Sequence, residues 1–282
     1  MPEAWTEHRF ISFDETPIFY RRLKPVDARV VLILTHGMGE HGGRYRAFAE
    51  YLAGTGVESV IPDLRGFGKS GGKRACVRRF SDFHEDLAAL HSLVASERKD
   101  LPLFLFGHSF GGLVTSSYLA YRSHPRADGL ILSSPIFGIA APVPAWRHVL
   151  GLATASVLPD LTQPTGVPTT DLTHDPAIIE AYDRDPLAYR RLSSRLYREL
   201  VRMIGCKKAI AGRLSLPTLV LQAGQDRVAS REATLEFYYH LKAADKELEV
   251  YPDWYHEVLN EAGREKAFSR VALWISKHVH SK

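Results

Sequence analysis

Gly107-His108-Ser109-Phe110-Gly111 places a serine between two glycines, each two residues away, directly after the apolar run 101–106. Between a buried strand and a helical pattern, that spacing describes a nucleophile elbow. The serine sits on a strained strand-to-helix turn, and a side chain at either glycine would crowd the neighbouring backbone. The helix read behind it, over 110–121, turns its first N–H groups and its positive end toward the place where an oxyanion would form. The same five residues can also be an ordinary turn. The reading therefore depends on finding partners for Ser109.

A serine hydroxyl is a weak nucleophile that needs a base, and the base needs a group to orient it. In sheets of this type the chain order is serine, acid, histidine, each after a strand end. Asp226 follows the apolar run 219–223 through Gly224-Gln225, and His256 follows 248–251 through a short loop. The chain has 13 histidines, and His256 stands apart because it falls between the last strand and the last helix. Asp253 and Glu257 are rival acids, but they sit too close to His256 in sequence to reach its ring from the far side. His108, inside the elbow, reads as a structural residue bordering the substrate. One oxyanion donor would be the Phe110 N–H. The other belongs to the loop His36-Gly37-Met38-Gly39, where Met38 is the natural donor and its side chain can line an acyl pocket.

A rival pattern overlaps that loop. Gly37-Met38-Gly39-Glu40-His41-Gly42 is a G-x-G-x-x-G between a strand and a helix, and Asp63 ends the next strand about twenty residues on. Gly66 to Gly71 matches the same string with no helix directly behind it. Against a dinucleotide site, Glu40 puts a carboxylate where a pyrophosphate would lie, and Ser109, Asp226 and His256 go unexplained. No cofactor is expected.

The positioning elements follow a regular order. Residues 8–23 read as a hairpin turning at 14–17, and buried strands are read at 29–35, 57–62, 101–106, 128–133, 216–223 and 246–251. Helical patterns fall at 42–54, 81–98, 110–122, 230–243 and 262–279, with Ser81 and the acids after it as a capping signal for the second. This is an α/β chain with a mostly parallel, eight-stranded, doubly wound sheet and helices on both faces. About eighty residues without a strand signal interrupt it, too long for a structureless loop. Residues 1–134 and 215–282 are therefore expected to form the core and 135–214 an inserted helical cap. The first part of that cap is unusually apolar, including Trp146 and Leu150. It either packs on the sheet domain or walls an apolar substrate site.

Composition narrows the class. The chain has 282 residues, 45% of them hydrophobic and 24% charged, which is ordinary for a soluble globular protein. A net charge of +4 is too small for a nucleic-acid footprint, and the basic clusters at 69–79 and 189–208 have acidic neighbours, as solvated faces do. The N-terminal residues lack a signal-peptide pattern, and no run is long enough to span a membrane. Cys76 and Cys206 read as reduced thiols of a cytoplasmic protein, and no metal-ligand spacing is found.

Taken together, the sequence resembles the monoacylglycerol lipase and lysophospholipase branch of the α/β-hydrolase superfamily. The likeness is carried by His36-Gly-Met-Gly-Glu-His41, Gly43-Arg-Tyr45, Asp63-Leu-Arg-Gly-Phe-Gly-Lys-Ser70, Gly107-His-Ser-Phe-Gly-Gly112, Leu132-Ser-Ser-Pro135, Asp185-Pro-Leu187, Gly224-Gln-Asp226 and Tyr255-His-Glu257. The resemblance implies Ser109 as nucleophile, Asp226 and His256 as its partners, and Met38 and Phe110 as oxyanion donors. It also implies alcohol-side contacts at Glu40 and Arg44, which could equally be a structural ion pair. Phe110 stands where methionine is usual. Leu259 stands where the mammalian members carry a second histidine. The expected activity is a serine carboxylic-ester hydrolase releasing fatty acid from monoacylglycerol or a similar single-chain lipid ester. Alternatives are a lysophospholipase, a general carboxylesterase or acyltransferase, and a non-catalytic member of the fold. The expected partner is a small lipid or ester and not nucleic acid, and peripheral membrane contact through the apolar cap is left open.

Overall fold

The computed structural model describes residues 4–122, 125–140 and 145–279, and the backbone alone for 145–150. In chain order the strands are β1 (Trp5–Ile11), β2 (Pro17–Leu23), β3 (Val30–Thr35), β4 (Val57–Pro62), β5 (Leu103–His108), β6 (Gly129–Ser133), β7 (Thr162–Pro164), β8 (Arg191–Ser193), β9 (Thr218–Ala223) and β10 (Lys246–Tyr251). Eight of them form one sheet in the order β1-β2-β4-β3-β5-β6-β9-β10. β2 pairs antiparallel with β1 and β4, and every later pairing is parallel.

The continuous apolar runs have a direct cause: both faces of the sheet are covered. Along β5, Leu103 and Leu105 enter one core while Phe104 and Phe106 enter the other. The first core lies under α2 (Ser81–Glu97) and α3 (Phe110–Tyr121), where Phe80, Phe83 and Phe110 meet edge to face. The second lies under α1 (Arg46–Ala53) and α9 (Glu265–Val279), with the Trp274 ring edge-on to Phe104.

Between β6 and β9 the described chain runs through α4 (Ala145–Val157), β7, α5 (Pro176–Asp183), β8, α6 (Ser194–Gly205) and α7 (Lys207–Ala211), and α8 (Arg231–His240) follows β9. Two expectations need correction here. The segment does contain strands, since β7 and β8 pair antiparallel. At three residues each they are too short to show alternation, and Pro164 cannot donate to a ladder. Ser81 is not the cap of α2 either. Phe80 holds that position, and Asp82 accepts the Arg78 and Arg79 N–H groups, both at 3.1 Å.

This segment is tied to loops at the carboxyl ends of the strands. Tyr189 N donates to Gly39 O at 2.8 Å, His41 Nε2 meets Asp185 Oδ2 at 2.7 Å, and Glu257 N donates to Leu172 O at 2.8 Å. The elbow itself needs α3 pressed against the sheet. A Cβ on Gly111 would lie 2.2 Å from the Thr35 carbonyl oxygen. Gly111→Ala is therefore expected to destabilise the fold by about 2 kcal/mol or more, because backbone rather than a pliable side chain is in the way. A clear fall in the denaturation midpoint is the expected reading, and an unchanged midpoint would contradict it.

Candidate active site

Ser109 sits between β5 and α3 with φ 51° and ψ −116°, a conformation that side-chain-bearing residues avoid. Its N–H donates to Ser133 O at 2.9 Å, and its carbonyl accepts from Gly112 N at 3.0 Å and Ile136 N at 3.1 Å. The hydroxyl faces His256, whose Nε2 lies 2.8 Å from Ser109 Oγ. The other ring nitrogen, Nδ1, lies 3.0 and 2.9 Å from the two oxygens of Asp226. Asp226 Oδ1 also accepts the Val228 and Ala229 N–H groups at 2.9 and 2.8 Å. Ser109, Asp226 and His256, taken from three separate strand ends, are thus brought into one relay. Neither rival acid enters it: Asp253 is exposed, and Glu257 is committed elsewhere.

Burial disfavours a charged His256, but the Asp226 charge and hydrogen bond outweigh it and raise the pKa above the usual histidine value. Asp226 shows the reverse balance. Burial pushes it up, and the His256 ring, with the two N–H donors, holds it below the usual carboxylate value. His108 lines the same cavity, with its ring 5.0 Å from that of His256 and its Nδ1 3.1 Å from Ser133 Oγ. Burial, then the neighbouring His256, lowers His108 to about 4, so it is neutral.

Met38 and Phe110 line the cavity, and among the described residues their N–H groups have no hydrogen-bond acceptor. The loop carrying Met38 is pinned from below. Glu40 Oε1 accepts from Gly37 N and from Tyr45 Oη, both at 2.6 Å. That carboxylate occupies the N–H group a pyrophosphate would need, which removes the dinucleotide reading of this glycine string.

Arg44 was expected to meet either an alcohol group or Glu40. It bonds Glu40 Oε2 at 2.7 Å and grips Glu257 with both terminal nitrogens, at 2.6 and 2.8 Å. Its guanidinium also lies 4.1 Å from the centre of the Tyr182 ring. Sequence reading missed the parts played by Glu257, Tyr182 and Arg190. Their partners come from distant segments, and no local spacing marks them.

Around this relay is a cavity of about 170 Å³. Ile136, Ile139, Leu192, Leu200 and Val228 make its walls largely apolar, with Glu40, Glu257, Tyr182 and Arg190 as the polar part. The side chains of Trp146 and Leu150 lie outside the described residues. Among the described residues, no group of three or more His, Cys, Asp or Glu side chains could hold a metal ion.

A doubly wound sheet with one antiparallel strand, β2, near its edge, an elbow serine and a histidine–carboxylate relay define an α/β-hydrolase. Residues 26–263 match the family described as Serine aminopeptidase, S33, and the chain belongs to that family. It is 32% identical to a monoacylglycerol lipase of Mycolicibacterium smegmatis, over 97% of this chain and 98% of the relative. It is 30% identical to the phospholipase YtpA of Bacillus subtilis, over 88% of this chain and 96% of the relative. The crystal structure of a monoacylglycerol lipase from Paleococcus ferrophilus superposes with a TM-score of 0.83 at 25% identity, covering 99% of this chain and 100% of that one.

His256 can accept a proton only when neutral, so ester turnover is expected to fall as pH drops through its raised pKa. Asp226→Asn removes the charge that raises that pKa and leaves burial, which lowers it. The acid limb of the kcat/KM profile should therefore move to lower pH while the rate falls by on the order of 10⁴-fold. An acid limb that stays in place in this variant would contradict the assigned cause of the shift.

Proposed function

We propose that this chain is a serine carboxylic-ester hydrolase that releases the fatty acid from monoacylglycerol or a similar single-chain lipid ester. The observation that carries the reading is the relay from Asp226 through His256 to Ser109, closed at 2.9 and 2.8 Å beside two N–H groups with no acceptor. The two lipases and the phospholipase that resemble it support lipid esters as the substrate class.

In this reading Ser109 Oγ attacks the ester carbonyl carbon as His256 Nε2 takes its proton. Asp226 stabilises the imidazolium, and the Met38 and Phe110 N–H groups receive the oxyanion. The bond to the leaving alcohol then breaks, and His256 returns the proton to the alcohol oxygen. Water, deprotonated in turn by His256, attacks the acyl carbon; the bond to Ser109 Oγ then breaks, and His256 returns the proton to that oxygen as the fatty acid leaves. The apolar lining suits an alkyl chain, and residues 135–214 act as a cap over it. Exposed Val157, Leu158 and Leu161 in that cap support peripheral contact with a lipid surface. No helix among the described residues is long and apolar enough to cross a membrane.

Ser109→Ala should lower turnover by on the order of 10⁴-fold, with the melting temperature retained. Residual activity within about tenfold of wild type would remove Ser109 from the role. Across p-nitrophenyl esters, kcat/KM should rise from acetate to medium and long acyl chains, and a flat or falling series would favour a small-ester hydrolase instead.

A further inference from the structure

The polar part of the cavity carries an unbalanced charge. Glu40 and Glu257 both line it, whereas the Arg44 guanidinium that joins them does not. Every hydrogen-bond partner of the Glu257 carboxylate is a donor: the two Arg44 nitrogens, and Asn260 Nδ2 at 2.9 Å. The Glu40 carboxylate is likewise met only by donors, from Arg44, Gly37 and Tyr45. Two carboxylates thus share a single guanidinium, and no second cation bonds to either of them among the described residues. Arg44 also holds Glu40 down at about 2, against the upward push of burial. All three side chains are nearly buried, with Arg44 9% exposed, Glu40 4% and Glu257 5%, so water screens the residual charge poorly.

No other group at the cavity cancels it. His108 is neutral, and Asp226 adds a further negative charge whenever His256 is neutral. Arg190 also lines the cavity, but it is bound to Asp183 Oδ1 at 2.7 Å and is 43% exposed.

Resting on the ester-hydrolase reading above, we infer that Glu257 is a specificity-determining residue. With Glu40 it presents a net negative, poorly screened surface to the alcohol group of the ester. Neutral alcohols such as glycerol are accepted, and phosphate monoesters of the lysophosphatidate type are rejected. Like charges brought together in a dry site cost enough to suppress the wrong substrate on the order of a hundredfold.

The test compares kcat/KM for monodecanoylglycerol and for decanoyl lysophosphatidate, each below its micelle concentration. Wild type should prefer the neutral ester by on the order of a hundredfold. Glu257→Gln should narrow that ratio about tenfold, by raising kcat/KM for the phosphate ester relative to the neutral one. Glu97→Gln, which removes a carboxylate from the distant pair with Arg22, should leave the ratio where it was. Equal use of the two esters by wild type, or an unchanged ratio in Glu257→Gln, would overturn the inference. A second measurement needs no variant: inhibition of wild type by decylglycerol ether and by its phosphate. Much weaker inhibition by the phosphate supports the inference, and equal inhibition overturns it. If neither decanoyl ester is hydrolysed while p-nitrophenyl acetate is, the lipid-ester reading fails, and the inhibition pair still decides the charge effect.

Discussion

Ser109 holds a backbone conformation that costs about 1–3 kcal/mol, and the rest of the structure is arranged to keep it there. The strain persists because the chain on either side has nowhere else to go. α3 lies so close to the sheet that only glycine fits at 111, and a Cβ on Gly107 would meet the Gly111 carbonyl oxygen at 2.5 Å. The hydrogen bonds from Ser109 N to Ser133 and from Ile136 N back to Ser109 O stitch the turn to the next strand end. Relaxing the turn would mean breaking these bonds and opening two packed cores. The hydroxyl therefore stands where a base coming from β10 can reach it.

The described residues between β6 and β9 brace the other two loops as well as lining the cavity. Gly39 O receives Tyr189 N, which holds the loop that carries Met38. On the histidine side, Glu261 is almost fully buried and accepts from Tyr255 N at 2.7 Å, His174 Nδ1 at 2.8 Å and His174 N at 3.0 Å. The residue just before His256 is thus fastened through Glu261 to His174, and Glu257 N is fastened to Leu172 just after it. Disturbance of the segment around Leu172 and His174 should reach the relay through these bonds and not only through the cavity walls.

Parts of this arrangement that depend on local spacing were legible in the sequence. The elbow shows because glycine is required at fixed offsets. The central strands show because burial on both faces makes them mostly apolar, whereas β10, read as buried at 246–251, is an edge strand buried only at Tyr251. The order of serine, acid and histidine follows from the winding of the sheet. What stayed hidden depends on side chains meeting across the fold. Arg44 and Glu257 are 213 residues apart, and nothing near either announces the other. Sequence distance did exclude Glu257 as the orienting acid, but it gave no hint that its carboxylate faces Arg44. At α2 the local rule misled in a different way. Ser81 has the right residue type for a cap, yet Asp82 is placed to take the preceding N–H groups.

The central claim is that Ser109 is activated by His256. The most direct measurement is exposure to a fluorophosphonate, followed by intact mass and peptide mapping. A single adduct is expected, located on Ser109, forming rapidly in wild type and far more slowly in His256→Ala. An adduct on another residue, or equal labelling rates in the two proteins, would contradict it.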